Sequence, residues 1–256
     1  MKAAHSVRTL AGVAAFFFAS VSLRAQTADE LIKKGDFHYD RLEAKKALQC
    51  YLPAEKLNPD NASLLVRISR EYRHLMSDAG QKDDKLKLGR TAVEYSKRAV
   101  NLAPDDPESQ LALAISYGKI LPFVGNKEKM EMSRLVKAAA EKVTKLDPKN
   151  DLGWHVLGRW HLVLAEISGV KRALAQVVYG KMPDASNEEA VRYFEKAIAL
   201  NPNRLMHYIE LGRTYAQMDR KEEARRLITK GLGMRETEKD DPETKEKGRE
   251  ILEKLR

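Results

Sequence analysis

Residues 196–202 read Lys196-Ala-Ile-Ala-Leu-Asn-Pro202, an apolar helical stripe that stops at an Asn-Pro pair. Three other segments stop in the same manner: Glu55-Lys-Leu-Asn-Pro59, Ala99-Val-Asn-Leu-Ala-Pro104 and Lys142-Val-Thr-Lys-Leu-Asp-Pro148. Proline cannot continue a helix, and the residue before it is biased away from helical dihedral angles. Recurrent helix endings of this kind are typical of an array of repeated helical hairpins.

A common pattern of small and large residues precedes these prolines. Counted from Ala28, the first unit places large residues at positions 4 and 24 and small ones at 8, 20 and 27: Leu31, Tyr51, Gly35, Ala47 and Ala54. Units counted from Asp151 and Leu205 repeat the pattern with Trp154, Leu157, Gly158, His161, Ala190, Phe194 and Ala197, and with Tyr208, Leu211, Gly212, Tyr215 and Ala224. Small residues let helix backbones approach, and large ones fill the space between neighbouring hairpins. We therefore assign these residues to the core.

These positions resemble the tetratricopeptide repeat, which implies an all-α, right-handed superhelix (an α-solenoid) of helical hairpins. We expect a repeat domain over residues 26–235 with about five units, at 28–61, 62–106, 107–150, 151–204 and 205–238. The terminal prolines are 45, 44 and 54 residues apart, whereas the repeat is about 34 residues long. Inter-helix insertions are therefore expected near 78–88, 121–132 and 167–187. A charged helix within 239–256 is expected to cap the array.

A narrower resemblance is to the regulator of microtubule dynamics family, and it covers about residues 28–235. The segments that carry it are Arg67-Ile-Ser-Arg-Glu-Tyr-Arg73, Ala92-Val-Glu-Tyr-Ser-Lys-Arg-Ala99, His155-Val-Leu-Gly-Arg-Trp160 and Tyr193-Phe-Glu-Lys-Ala197. The resemblance implies helical repeats and a binding role, and members of this family associate with microtubules in animal cells. An adaptor that is tethered to a membrane and associated with the cytoskeleton is therefore the alternative function.

The N-terminal segment has the order of a secretion signal. Lys2 and Arg8 precede an apolar stretch over residues 10–23, and a small residue, Ala25, comes just before Gln26. The apolar stretch is shorter than the roughly 20 residues that a transmembrane helix needs. We expect a signal peptide over residues 1–25 and export to the periplasm or the extracellular space. Retention of this segment as a membrane anchor is the alternative.

Composition excludes several classes of function. The chain has 256 residues, a net charge of +9 and a hydrophobic fraction of 43%, which is too high for a disordered protein. Basic and acidic residues alternate along the helices, so nucleic-acid binding is not expected. The single cysteine, Cys50, cannot form an intramolecular disulfide or a cysteine-rich metal site. Because metal-binding, phosphate-loop and nucleophile motifs are lacking, we expect no metal, cofactor or catalytic residue, and interpret the chain as a protein-interaction scaffold.

The candidate binding residues follow from the repeat geometry. First helices of two-helix repeats line a concave wall, and arginine occupies position 9 in three units, as Arg70, Arg159 and Arg213. Other positions predicted to face the groove add Arg73, His74, Lys119 and His155. The planar guanidinium matches carboxylates, so we expect a partner protein or acidic peptide in this groove. Alternatively, each arginine pairs with a nearby glutamate, and Asp36 and Ile115 interrupt the series at position 9.

The third insertion carries a separate apolar stripe formed by Val170, Leu174, Val177 and Val178. Basic residues at its rims are Lys171, Arg172 and Lys181. We expect an extra helix packed back on the array. Contact of residues 167–187 with a partner or a membrane surface is the alternative.

Overall fold

The computed structural model describes residues 27–167, 169, 173, 176, 177 and 183–255. The expected signal peptide, residues 1–25, lies outside this range. Most of the apolar stripe of the third insertion and the basic residues at its rims also lie outside it: Val170, Leu174 and Val178, and Lys171, Arg172 and Lys181. Val177 is described, and it is 85% exposed.

The described residues form a succession of α-helices and contain no β-strand. The helices are α1 (Ala28–Tyr39), α2 (Ala44–Leu57), α3 (Ala62–Asp78), α4 (Lys82–Leu102), α5 (Pro107–Ile120), α6 (Asn126–Leu146), α7 (Asp151–Ala165), α8 (Asn187–Leu200), α9 (Leu205–Gln217), α10 (Lys221–Gly233) and α11 (Asp241–Lys254). A short 3-10 helix, Leu121–Phe123, follows α5. The predicted all-α architecture is therefore confirmed.

Local capping explains where the hairpins begin and end. Thr27 forms a capping box with Glu30 at the start of α1. Four other helices, α3, α5, α7 and α8, begin at a residue whose side-chain oxygen accepts a hydrogen bond from a backbone N–H group of the first turn. These residues are Asn61, Asp106, Asn150 and Ser186. The residues that close α2, α4, α6 and α8 have φ between −143° and −133°, and each precedes a proline: Asn58, Ala103, Asp147 and Asn201. The recurrent proline therefore ends the second helix of each of these hairpins.

Small residues sit where neighbouring helices approach most closely. A Cβ atom at Gly35 would lie 2.2 Å from Cε1 of Tyr51, and one at Gly158 would lie 2.9 Å from the Phe194 ring. The alanines at positions 20 and 27 of the units are fully buried: Ala47, Ala54, Ala190, Ala197 and Ala224. Trp154 departs from the core assignment, since it is half-buried and its indole N–H donates to the Pro148 carbonyl oxygen. The small-and-large pattern otherwise predicts the core correctly.

Two of the expected insertions lengthen helices. Residues 79–81 alone separate α3 from α4, and α4 and α6 are 21 residues each. Leu88, Met130 and Met132 lie in the added turns and pack partly buried against a core cluster that includes Met76 and Trp160. Because the added residues present apolar side chains at helical spacing, they extend the second helices.

Pro53 lies inside α2, and the helix continues through it to Leu57. Proline removes one backbone donor from the helix. Tyr51 and Ala54 on either side of it are fully buried, and their packing holds the helix together.

The chain forms a stack in which helices adjacent in sequence contact each other from α1 to α7 and from α8 to α11, and α7 contacts α8. Helix α11 packs on both α9 and α10. Ile251 of this helix and Leu255, which follows it, join a core cluster with Phe194 and Tyr215. The last helix therefore covers the apolar face of the final hairpin.

Candidate functional site

The first helices of successive hairpins form one wall of the array. Helix α3 contacts α5, α5 contacts α7, and α7 contacts α9. Elements on the inner side of a superhelix approach each other most closely, so these helices line its concave groove. All seven candidate binding residues lie on α3, α5, α7 and α9.

Arg70 and His74 share a buried acidic partner. Glu71 is fully buried, and its carboxylate contacts Arg70 Nε at 3.1 Å and His74 Nδ1 at 3.2 Å. The Arg70 guanidinium lies over the Tyr39 ring, with its carbon 3.3 Å from the ring centroid. The Tyr39 ring also stacks on His74. Cation–π and ionic contacts thus hold Arg70 in one orientation at the wall.

Arg73 is buried, which contradicts its expected place on the groove surface. It is 7% exposed, and its Nη1 donates to Ser69 Oγ and Ser116 Oγ at 3.0 Å each. The same nitrogen lies 3.4 Å from the Ala112 carbonyl oxygen. Burial lowers the pKa of Arg73 to about 10, so it keeps its charge at neutral pH. Arg73 therefore joins α3 to α5 and is not available to a ligand.

Lys119 contacts a residue from the other end of the chain. Its Nζ donates to Ser77 Oγ at 2.7 Å and to Asp240 Oδ1 at 2.9 Å. Burial lowers the pKa of Lys119, and the Asp240 carboxylate opposes that change. The lysine lies on the first-helix wall, in a site that also contains a carboxylate.

His155 is also buried, and this corrects its assignment to the groove surface. It is 2% exposed, and its Nδ1 lies 2.9 Å from Nδ1 of the fully buried His207. His207 Nε2 lies 2.9 Å from Asp151 Oδ2, and Arg204 Nε donates to the same oxygen at 2.8 Å. Burial lowers the pKa values of both histidines, and that of His155 is well below its usual value. These residues form a buried polar chain between α7 and α9.

Arg159 and Arg213 flank one glutamate. Arg159 Nε lies 3.5 Å from Glu210 Oε1, and Arg213 Nη1 lies 3.6 Å from Glu210 Oε2. Glu210 Oε2 is buried and has no hydrogen-bond partner in the described part of the chain. Arg213 Nη2 also donates to Glu166 at 3.1 Å. Both arginines are partly exposed, with 50% of the Arg159 side chain and 30% of the Arg213 side chain accessible.

The acidic partners were not identified from the sequence. Glu210 precedes Arg213 by three residues and Glu71 precedes His74 by three, a spacing that places side chains on one helix face and could have signalled both contacts. No comparable local signal marks Asp240 or His207, whose partners are distant in sequence. At position 9 of the first unit, Asp36 accepts from Arg67 Nε at 2.9 Å and from the Tyr51 hydroxyl at 2.6 Å.

The described residues contain no cluster of three or more histidine, cysteine, aspartate or glutamate side chains that could hold a metal ion. Within the same part of the chain, no helix combines the length and apolarity that crossing a membrane requires. The groove therefore carries arginine side chains that contact the buried carboxylates of Glu71 and Glu210.

The sequence of this chain is similar to those of proteins from one known family. A sequence model of the family described as "Regulator of microtubule dynamics protein 1-3" matches residues 25–256. Regulator of microtubule dynamics protein 1 from Bos taurus is 29% identical over 204 residues, which cover 79% of this chain and 64% of the bovine protein. The same protein from Mus musculus is 26% identical over 227 residues, covering 88% of this chain and 73% of the mouse protein. The chain therefore spans about two thirds of the length of these relatives.

Solved structures agree on the fold. A thermophilic tetratricopeptide repeat protein from Thermus thermophilus superposes with a TM-score of 0.65 at 17% identity, covering 88% of this chain and 99% of that one. MamA from Desulfovibrio magneticus gives a TM-score of 0.51 at 15% identity, covering 80% and 93%. At these identities the likeness concerns the fold alone. The solenoid inferred from the repeat positions is a tetratricopeptide-type array.

Proposed function

The chain belongs to the regulator of microtubule dynamics family, and on this basis we propose that it is a non-catalytic scaffold that binds an acidic peptide segment of a partner protein in its concave groove. A tetratricopeptide-type array supports this role because its first helices present one continuous curved wall. The partner's chemistry follows from the side chains on that wall.

The orientation of two arginines is the observation that carries this proposal. Arg70 and Arg159 each face a buried glutamate through Nε. A guanidinium held through Nε can direct its two terminal nitrogens at a ligand carboxylate as a two-pronged donor. Glu71 and Glu210 have exposed side-chain fractions of 0% and 11%, whereas 26% of the Arg70 side chain and 50% of the Arg159 side chain are exposed, so the glutamates contact the arginines from the buried side.

A binding assay with a defined probe tests the proposal. Fluorescence anisotropy of a labelled hexaglutamate peptide measures the affinity of the native chain and of the Arg70→Gln/Arg159→Gln double variant. We expect the double variant to bind about tenfold more weakly, because it loses two charge-assisted contacts. Arg192→Gln is the matched control, since Arg192 lies on α8 with 69% of its side chain exposed. Equal weakening by control and double variant would contradict the groove assignment.

Family membership favours a second candidate function, a role at microtubules. Its support is the family match over residues 25–256, and the relatives carry that activity in their names. Co-sedimentation of the chain with polymerised tubulin tests it. If Arg70→Gln/Arg159→Gln weakens tubulin binding, the groove is the tubulin contact and the two candidate functions use the same site. If tubulin binding is unchanged in this variant, the tubulin contact lies elsewhere on the molecule.

Localisation is part of the proposal. We infer that residues 1–25 direct export and are removed before Gln26, and intact-mass measurement of the natural protein tests this directly. A mass that includes residues 1–25 would instead favour the membrane-tethered adaptor. Liposome co-sedimentation with and without residues 167–187 measures any contribution of the third insertion to membrane contact.

A further inference from the structure

The connection between α10 and α11 reaches across the groove to the helices near the start of the array. Lys239 Nζ lies 2.8 Å from Asp78 Oδ1, at the end of α3. The next residue, Asp240, contacts Ser77 on α3 and Lys119 on α5. Two consecutive residues of the C-terminal segment are therefore bound by α3 and α5, near the start of the first-helix wall.

The site that receives Asp240 has the geometry of a carboxylate-binding site. Asp240 Oδ1 accepts from Ser77 Oγ at 2.7 Å and from Lys119 Nζ at 2.9 Å. Asp240 Oδ2 lies 2.7 Å from the same Nζ, which also donates to Ser77 Oγ at 2.7 Å. The buried Arg73 guanidinium adds a second positive charge that favours the carboxylate over its protonated form.

Asp240 is held there as an ion. Burial would raise the pKa of Asp240, but the charge of Lys119 and the hydrogen bonds from Lys119 and Ser77 outweigh it and lower that pKa. The lysine and the carboxylate are both partly accessible, with exposed side-chain fractions of 24% and 39%. Solvent access means that another carboxylate can approach the same donors.

The rest of the segment is anchored independently of this contact. Glu238 accepts from Arg204 Nη1 at 2.6 Å, and the backbone N–H groups of Thr237 and Glu238 donate to Asp241 Oδ2 at 2.7 and 2.8 Å. Helix α11 is packed on α9 and α10. These contacts keep Asp240 close to its site, so it acts at a high effective concentration.

We propose that Ser77 and Lys119 form a carboxylate-binding subsite of the groove, which Asp240 fills in the free chain and which an acidic side chain of the partner peptide takes over on binding. This inference rests on the proposed function and adds to it the residue-level recognition site and an internal competitor. An internal ligand that must leave first reduces the apparent affinity by the fraction of molecules in which the subsite is free.

Affinity for the hexaglutamate probe tests the inference. Asp240→Asn removes the competing charge while keeping the side-chain shape, and we expect it to tighten probe binding by about threefold or more. Asp105→Asn is the matched control, because Asp105 carries the same charge and its side chain is 81% exposed in the loop before α5. Adding Lys119→Gln to Asp240→Asn should abolish the gain. Circular dichroism of each variant confirms that the helices are retained, and Asp240→Ala serves as a second variant that also lacks the amide.

The outcomes separate this inference from the proposed function. Equal affinity of Asp240→Asn, Asp240→Ala and the native chain, together with weaker binding by Arg70→Gln/Arg159→Gln, would overturn the competitor and leave the acidic-peptide groove in place. Tighter binding by Asp240→Asn that persists with Lys119→Gln would overturn the subsite. Absence of probe binding by the native chain and by every Asp240 variant would overturn both proposals.

Discussion

The ring of Tyr51 occupies the space that a side chain at Gly35 would need. A Cβ atom at residue 35 would come within 2.2 Å of the ring. Tyr51 is fully buried, and its hydroxyl group donates a hydrogen bond to Asp36 at 2.6 Å. Gly158 and Phe194 have the same relationship in the fourth unit. These glycine–aromatic contacts set the distance between the two helices of a hairpin.

Gly35→Ala is therefore expected to lower the free energy of unfolding by about 1–3 kcal/mol, the usual cost of forcing extra volume into a packed core. Gly118→Ala is the matched control, because Gly118 lies in α5 with no atom within 4 Å of a Cβ built there. We expect the control to stabilise the chain by roughly 0.5 kcal/mol through helix propensity. Urea unfolding followed by circular dichroism measures both, and equal stability of the two variants would contradict the packing account.

The sequence predicted the fold well because the fold depends on local, repeated features. The proline after each second helix and the small residues at positions 8, 20 and 27 act within one hairpin, so spacing alone reveals them. The groove was predicted less well because it depends on what the neighbouring hairpin presents. Arg73 is predicted to face the groove, yet it turns to Ser116 on α5, the first helix of the next hairpin. Asp240 reaches Lys119 across the superhelix, a contact that no local spacing encodes.

Arg73 and Arg213 should differ sharply in their effect on stability. Arg73→Gln leaves the buried Ser69 and Ser116 hydroxyls without their cationic partner, and we expect a loss of about 2–4 kcal/mol. Arg213→Gln removes a partly exposed ion pair with Glu166 and a longer contact with Glu210, which keeps Arg159 as a partner, and should change stability by about 1 kcal/mol or less. Chemical unfolding of both variants measures the difference. A small effect at Arg73 would contradict its role in joining α3 to α5.

The buried pair of His155 and His207 predicts a dependence of stability on pH. Burial lowers both pKa values, so the folded chain keeps the rings neutral while the unfolded chain takes up protons below about pH 6.5. Stability should therefore fall as the pH drops from about 7.5 to about 5.5, by up to about 1.4 kcal/mol per pH unit and histidine. Arg204 and Arg159 add positive charge near the pair, while Asp151 opposes the change at His207.

His155→Gln removes one of these two rings and keeps a hydrogen-bond donor for His207. The urea midpoint of this variant should change less between about pH 7.5 and about pH 5.5 than that of the native chain. The same pH dependence in both proteins would show that the histidine pair does not control acid stability.

Glu210 is predicted to restrain ligand binding. It lies between Arg159 and Arg213 and neutralises part of their charge. Glu210→Gln keeps a side-chain oxygen that can face Arg159 but removes the negative charge, so it should tighten hexaglutamate binding by about threefold, which is less than about 1 kcal/mol. Glu94→Gln on α4 is the matched control, since the Glu94 side chain is 66% exposed beside Lys97. Anisotropy titration measures both variants, and unchanged or weaker binding by Glu210→Gln would show that the carboxylate does not oppose the ligand.

Hydrogen exchange measured by mass spectrometry, with and without saturating hexaglutamate, locates the bound peptide directly. A ligand in the concave groove should slow hydrogen exchange in α3, α5, α7 and α9, which line it. Exchange in residues 234–240 should become faster as Asp240 leaves its site. Slower exchange confined to α4, α6 and α8, with no change in the first helices, would contradict the account.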